Sequence, residues 1–544
     1  MVRERQRAIR QRDRFERDLD QTRALLERRT IALRRLERRV TQIQAELDRF
    51  RSDPVVTAWR SARTGVARLR RAPGRLRRIG ERLGRARGTG QVAVAGSGAV
   101  VDRRPPGEVL GLLRSGSQAA GDPPRVAVAG PTDAAVDEAI RTAGWHAAAG
   151  PDRSSEVVLV LHPASDVSAT DREVLRVAWI RDDVGAWLAM PWLDDLDLVL
   201  VGPGVDGEAL EAMVGAPHRL EAASGLPAAL AEHAARPRLV IQIGPATWEG
   251  AGHWGDTAFA RAVERAFRRR GWATCVLVDD ERDGPRARDA DVALHVVGVR
   301  QPPLHPDQTH LLWIISHPDA VRPEHCDRYD AVFVASDPFA EQVGMRVSVP
   351  VIPLHQATDP HRFFPEAGGP AHELLFVGNA KARGRPVIDA LADTPWDLAV
   401  YGTSWRPELL DPRRLRGEWI PNEILRRYYA AAAIVLNDHW TDMRDEGFFS
   451  NRIYDALASG AFVLSDEVPG IEAEFGGGLA TWRDEASLRA AVERYLPDVA
   501  ARQALAARGR QAVLERHTFD RRVDAIIETI QALKSGPAGI ARDE

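Results

Sequence analysis

Residues Asp445–Asp466 read DEGFFSNRIYDALASGAFVLSD. An acidic, turn-like start leads into a helix-compatible run ending Ala456-Leu457-Ala458-Ser459-Gly460, and an apolar strand, Ala461-Phe462-Val463-Leu464, follows at once. Gly460 sits where a helix stops, so the glycine and the strand set the helix length from its C-terminal side. The helix N-terminus then falls near Phe449–Arg452, behind a Glu446-Gly447 turn. Backbone N–H groups at such an end can hold an anion, with Asn451 and Arg452 as side-chain donors. Asp455, one turn in, is an acceptor for hydroxyls. Phosphate donors beside a hydroxyl acceptor suit a nucleotide sugar.

Upstream of this stretch, apolar strands at Leu374–Val377, Leu398–Tyr401 and Ile434–Asn437 alternate with helical patterns near 384–392 and 422–431. Downstream, residues 498–533 read as one long helical tail. Together these form an α/β unit, 366–533, followed by a short tail, 534–544.

Two earlier units repeat the alternation in the same order. Arg125–Gly130 parallels Arg238–Gly244, Glu156–Leu161 parallels Asp291–Val296, Val177–Ile180 parallels Leu312–Ile315, and Leu196–Val201 parallels Tyr329–Val334. Short strands separated by helices imply right-handed crossovers and parallel sheets. The fold expected is therefore α/β, with tandem Rossmann-like units at 123–235, 236–365 and 366–533. The first has few of the polar residues that decorate the second, so it reads as a degenerate or recognition unit.

Before these units, Leu19, Leu26, Leu33, Val40 and Leu47 recur every seven residues, with Leu36, Ile43 and Phe50 on a second seam. That is a coiled-coil pattern over 1–52, and it implies a homo-oligomer. A single amphipathic helix folded back on the body is the other reading. Residues 53–122 hold a basic, Trp-containing segment and then a Gly, Pro and Ser-rich linker. The basic part reads either as a solvated linker helix or as a peripheral contact with an anionic membrane surface at the inner face of the cell membrane.

The net charge of -3 conceals 27 Arg against 11 acidic residues in the first 90 positions. Acidic residues interleave with that Arg and aromatics are few, which argues against nucleic acid as a partner. Lys occurs only at 381 and 534, so Lys381 stands out. Cys275 and Cys326 suggest neither a disulfide framework nor a metal site. There is no N-terminal apolar h-region and no 18-residue apolar run, so a cytoplasmic protein is expected.

On the second unit, Gly244 follows the first strand, and Gly250, Gly252, His253, Trp254, Gly255 and Asp256 form a loop opening a helix. Its glycines allow backbone to approach a phosphate or an acceptor, and Asp256 can cap the helix. Ser316 and His317 follow the Leu312–Ile315 strand, at the end that opens into the same cleft.

Taken in order, Trp313–Asp319 (WIISHPD), Leu354–Pro365 (LHQATDPHRFFP), Phe376–Asn379 (FVGN), Glu446-Gly447-Phe448, Tyr454–Gly460 and His517–Arg522 (HTFDRR) resemble the family 4 and group 1 glycosyltransferases, including the spore-coat maturation type. The resemblance spans residues 236–360 and 370–533 and implies the GT-B architecture, in which two Rossmann-like domains bound a cleft. It implies a retaining, metal-independent enzyme with no cofactor, using a nucleoside-diphosphate sugar and a cell-surface glycan or related acceptor. In that family a Glu pair with seven residues between closes the donor site, the first on the sugar and the second on the ribose. Here the pair is Glu446 and Asp455, with eight residues between. The resemblance further implies that Gly378, Asn379, Lys381, Arg383, Arg385 and Arg452 lie at the diphosphate. Gly402 and Ile420-Pro421-Asn422 would lie at the base, Phe448 beside the donor, and His317 on the transferred sugar. A non-catalytic GT-B-like scaffold tethered by the coiled coil is the alternative.

Overall fold

The structure, a computed structural model, describes residues 103–535 apart from 116–121, 132–133, 149, 153, 166, 168–171, 191, 252–254, 297–303 and 382–383. The coiled-coil reading of 1–52 and nearly all of the basic segment and linker lie outside the described residues.

Three six-stranded sheets follow one another along the chain, every pairing parallel. The first holds β1 (Arg125–Ala129), β2 (His146–Ala148), β3 (Val157–Val160), β4 (Leu175–Ile180), β5 (Leu198–Val201) and β6 (His218–Arg219), in the order β2-β1-β3-β4-β5-β6. The second holds β7 (Arg238–Gln242), β8 (Ala273–Leu277), β9 (Val292–Val296), β10 (Thr309–Ile314), β11 (Ala331–Val334) and β12 (Val351–Pro353), in the order β8-β7-β9-β10-β11-β12. The two orders are the same, so the repeat read from the sequence is a repeat of topology. The third holds β13 (Leu374–Val377), β14 (Leu398–Tyr401), β15 (Leu415–Gly417), β16 (Ile434–Asn437), β17 (Val463–Asp466) and β18 (Ala480–Trp482), in the order β15-β14-β13-β16-β17-β18. The inner strands are largely apolar because both faces are covered; every residue of β3, β5, β9, β11, β14 and β16 is buried, His295 and Asn437 included.

The first sheet is joined to the second through charge. Asp195 pairs with Arg261 at 2.5 Å, and Asp197 with Arg286 at 2.5 and 2.9 Å. Burial alone would push both carboxyls up; the guanidiniums of Arg261 and Arg172 on Asp195, and of Arg286 on Asp197, outweigh it and hold both at about 2. A cavity of about 20 Å³ lies between these groups, lined by Arg176, Asp197, Cys275 and Arg286 among others. Its polar walls and size suit a single water.

The second and third units are joined by the chain crossing between them twice. Thr358, on the way out, forms a parallel bridge with Thr518 on the way back: Thr358 N donates to His517 O and Phe519 N to Thr358 O, at 3.0 and 2.9 Å. This bridge corrects the expected single tail. The tail is two helices, Val499–Arg516 and Phe519–Ser535, because the backbone groups at 517–519 bond to Thr358 instead of continuing the helical ladder. The last helix belongs to the second unit's core, burying Phe519, Val523, Ile526 and Ile530 beside the Gly255–Arg269 helix. Its Asp520 and Asp524 pair with Arg269 and Arg270 on that helix.

Candidate functional site

The Asn451–Ala458 helix begins after Ser450 and ends at Ser459, with Gly460 beyond it at φ 80°. Ile453, Tyr454, Ala456, Leu457 and Ala458 are buried in the core, which fixes which face remains for Arg452. That guanidinium lies over the Phe376 ring, 4.7 Å from its centroid, and Nη1 donates to Asn437 Oδ1 at 2.7 Å. It also passes directly beside Gly378: a Cβ there would stand 2.6 Å from Nη2. Glycine after β13 is therefore what lets Arg452 reach the strand ends. Burial, and then the charge of Arg385, lower the Arg452 pKa.

Two further cations meet there. Arg385 Nη1 donates to Asp438 Oδ1 at 2.6 Å and its Nε to Asn379 O at 3.0 Å. Lys381 Nζ donates to His439 O at 2.7 Å, lies 3.8 Å from Asp438 and stands over the Trp440 ring at 4.6 Å. Burial pushes the Lys381 ammonium down to about 8 against the pull of Asp438, with Arg385 lowering it further. Three cations thus gather near two buried carboxylates, Asp438 and Asp466, at the C-terminal ends of β13, β16 and β17. Such a surplus of positive charge suits a bound anion, and guanidiniums suit phosphate oxygens in particular.

Beneath the cations lies a second polar group. His439 Nδ1 pairs with Asp466 Oδ1 at 2.6 Å, the His439 backbone N–H donates to Asp466 Oδ2 at 3.0 Å, and Ser450 N–H donates to His439 Nε2 at 2.9 Å. With Nε2 accepting, the Nδ1 side of the imidazole is left to donate a hydrogen bond to the Asp466 carboxylate. The buried pair thereby ties the start of the Asn451–Ala458 helix to β16 and β17.

The facing wall comes from the second unit. His317 follows β10 in a left-handed conformation, φ 53° and ψ 57°, with its side chain 54% exposed. Its Nδ1 is 3.8 Å from Asp442 Oδ2, and its ring is 5.8 Å from that of Trp440. The contact with Asp442 raises the His317 pKa against a partial loss of solvent, and the charges of Asp442 and Asp256 add to it. Asp442 is held below the usual carboxylate range by His317, which outweighs its burial. Burial raises Asp256, in the first turn of the Gly255–Arg269 helix, while the His317 charge opposes that rise. His317 is the group at which the two walls meet.

Other expected site residues have partners of their own. Asp455 is buried, with Oδ1 accepting from Thr358 Oγ1 at 2.7 Å and Oδ2 from Asn451 Nδ2 at 2.8 Å. It faces the chain crossing, not an open ribose site, and burial pushes its carboxyl up to about 8. Asn451 accordingly donates to Asp455. Glu446 turns to the second unit, where its Oε2 accepts from Gln342 Nε2 at 2.7 Å and its backbone oxygen accepts from Ser336 Oγ at 2.5 Å. A Cβ on Gly447 would touch Pro338, and Phe448 is fully buried against Phe339. The Glu446–Phe448 segment is thus docked on the second unit. Asn379 ties two loops, its Oδ1 accepting from Thr403 N at 2.9 Å. Gly402 lies so close to Gly378 that a Cβ would fall 2.1 Å from the Gly378 oxygen. Pro421 immediately precedes the Asn422–Ala431 helix. Gly250 lies in the Trp248–Ala251 helix and Gly255 opens the next; Arg383, Gly252 and His253 lie outside the described residues.

Asp438, His439, Trp440 and Asp442 did not stand out in the sequence. The signal was available: Asn437-Asp438-His439-Trp440 is a polar and aromatic run placed directly on the C-terminal end of a parallel strand.

Two Rossmann-like units in contact, with the final helix returned to the first of them, form the GT-B arrangement. Residues 383–528, which carry Arg385, the Asp438–Trp440 run and Arg452, match a family described as glycosyl transferase-like. Among solved structures, sucrose-phosphate synthase from Thermosynechococcus elongatus shares 15% identity over 55% of this chain and 100% of its own, with a TM-score of 0.44. AviGT4, a glycosyltransferase involved in avilamycin A biosynthesis, shares 17% identity over 55% of this chain and 98% of its own, at a TM-score of 0.42. HepE of Anabaena, solved with UDP-glucose, shares 12% identity over 54% and 99%, at 0.37. No curated protein matches the chain. Among the described residues no helix is long and apolar enough to cross a membrane.

Proposed function

We propose that the protein is a glycosyltransferase that moves a sugar from a nucleoside-diphosphate sugar to a hydroxyl of a cell-surface glycan or related acceptor. The observation that carries this reading is the convergence of Lys381, Arg385 and Arg452 at the strand ends opposite His317. As the bond from the sugar to the diphosphate breaks, its electrons go to the leaving phosphate oxygen, while the acceptor oxygen bonds to the anomeric carbon and its proton passes to that departing phosphate. Cations already in place stabilise that charge without reorganising. The donor lies on the third unit, with its base toward Gly402 and Pro421, and the acceptor arrives past the Gly250–Asp256 side of the second. Retention of configuration, and charge neutralisation by side chains instead of a metal ion, belong to the same proposal. So does a changed role for Asp455, which in this reading governs the crossing between units. The family match over 383–528 does not favour the scaffold alternative.

The test is turnover of a panel of nucleotide sugars, read as donor hydrolysis or transfer. One donor is expected to be consumed, and Arg385→Ala and Arg452→Ala are each expected to lower kcat/KM about a hundredfold or more. Unchanged turnover in both variants would remove these residues from the site.

A further inference from the structure

Trp440 sits directly after β16, at the end of the strand where the cations converge. Among the described residues it is one of four large apolar side chains left exposed, at 41%, with Trp419, Met345 and Val499. An aromatic ring kept in water at a strand end calls for a reason, since it forgoes the burial that most tryptophans obtain. Its position is fixed by both chain neighbours. His439 is locked between Asp466 and Ser450, and Thr441 opens the Thr441–Asp445 helix. Lys381 Nζ lies 4.6 Å from the ring centroid and the Arg385 guanidinium 5.8 Å, while His317 of the facing wall lies 5.8 Å away, inclined at 57°. The ring therefore spans the distance between the cations and the opposite wall.

We infer that Trp440 is the surface against which the transferred sugar packs, so that it selects a neutral hexopyranose by the C–H face of its ring. The inference rests on the glycosyltransferase reading and extends it. With a diphosphate held by Lys381 and Arg385, the sugar begins one bond beyond the second phosphorus, and the exposed part of Trp440 is the next surface it meets. The electron-rich indole face attracts the slightly positive C–H bonds of a pyranose as it attracts cations. Asp442, 3.8 Å from His317 and two residues beyond Trp440, disfavours a sugar carrying its own carboxylate, because like charges would face each other there. Trp440 is on this view a specificity-determining residue. It acts on the sugar and leaves the nucleotide to other groups.

The experiment compares the full-length protein with Trp440→Ala and Trp440→Phe, titrating UDP, UDP-glucose, UDP-glucuronate, GDP and GDP-mannose into each by calorimetry. The wild type is expected to bind one nucleoside diphosphate and to bind the neutral sugar conjugate of that nucleotide more tightly. Trp440→Ala is expected to weaken the sugar conjugate by about tenfold with little change for the free diphosphate, and Trp440→Phe to recover most of the loss. Equal weakening of diphosphate and conjugate would overturn the inference, because Trp440 would then act through Lys381; so would no change in either. A wild type that binds none of the diphosphates would overturn the glycosyltransferase reading itself, and this inference with it.

Discussion

Asp438 holds the cation group together, because its buried carboxylate lies between Arg385 at 2.6 Å and Lys381 at 3.8 Å. Asp438→Ala leaves two cations facing each other without it, and unfolding in denaturant is expected to show a loss of about 3–5 kcal/mol. Asp455 behaves in the opposite sense. Its carboxyl, ordinarily at 3.8, is pushed to about 8 in the folded protein, so the folded state keeps a proton that the unfolded chain releases. Stability should therefore fall as pH rises between those two values, and Asp455→Asn should flatten the fall in Tm over that range. His317 has a raised pKa, so its contact with Asp442 contributes below the ordinary imidazole value of 6.5 and fades as pH rises through the higher folded value. Because the Asp442 pKa is lowered, the contact also fades on the acid side, as pH falls through that lowered value. NMR titration of the His317 ring should show a midpoint above 6.5 that drops in Asp442→Asn.

At the scale of elements, what could be read locally is found and what depends on a distant partner is not. The runs that became β3, β5 and β11 announced themselves because a strand covered on both faces is apolar throughout. The Asn451–Ala458 helix was legible for a similar reason, since Gly460 at φ 80° marks its end within the sequence itself. The break at His517–Thr518 was not, because its cause is Thr358, far away in the chain. Asp455 shows the same limit inside the site. Its place on the helix followed from spacing, but whether it faced a ligand or the crossing depended on Thr358. Glu446 and Phe448 turned to the second unit because Gln342 and Phe339 stand there, which no local pattern records. The Gly378–Gly402 contact gives the test at this scale. Gly402→Ala would set a Cβ 2.1 Å from the Gly378 oxygen, so the loops bearing Asn379 and Arg385 must separate. A loss of thermal stability together with loss of nucleotide binding is expected, whereas Thr403→Ala, whose backbone N–H still reaches Asn379, should retain both.

At the scale of the whole molecule, the first unit is bound to the machinery it accompanies. Asp195 and Asp197 engage Arg261 and Arg286 of the second unit, and Arg362 lies between Asp194 of the first and Glu423 of the third, at 3.7 and 3.2 Å. Arg362 stands in the crossing segment beside Asp359, which itself pairs with Arg265. The unit that looked degenerate in sequence is therefore in contact with the segment that crosses between the other two. The proposed binding of a diphosphate at the strand ends of the third unit is tested most directly by isothermal calorimetry. Nucleoside diphosphates titrated into the wild type and into the Arg385→Ala/Arg452→Ala double variant should give saturable binding in the first and none in the second. Absence of binding in the wild type, or undiminished binding in the double variant, would contradict it.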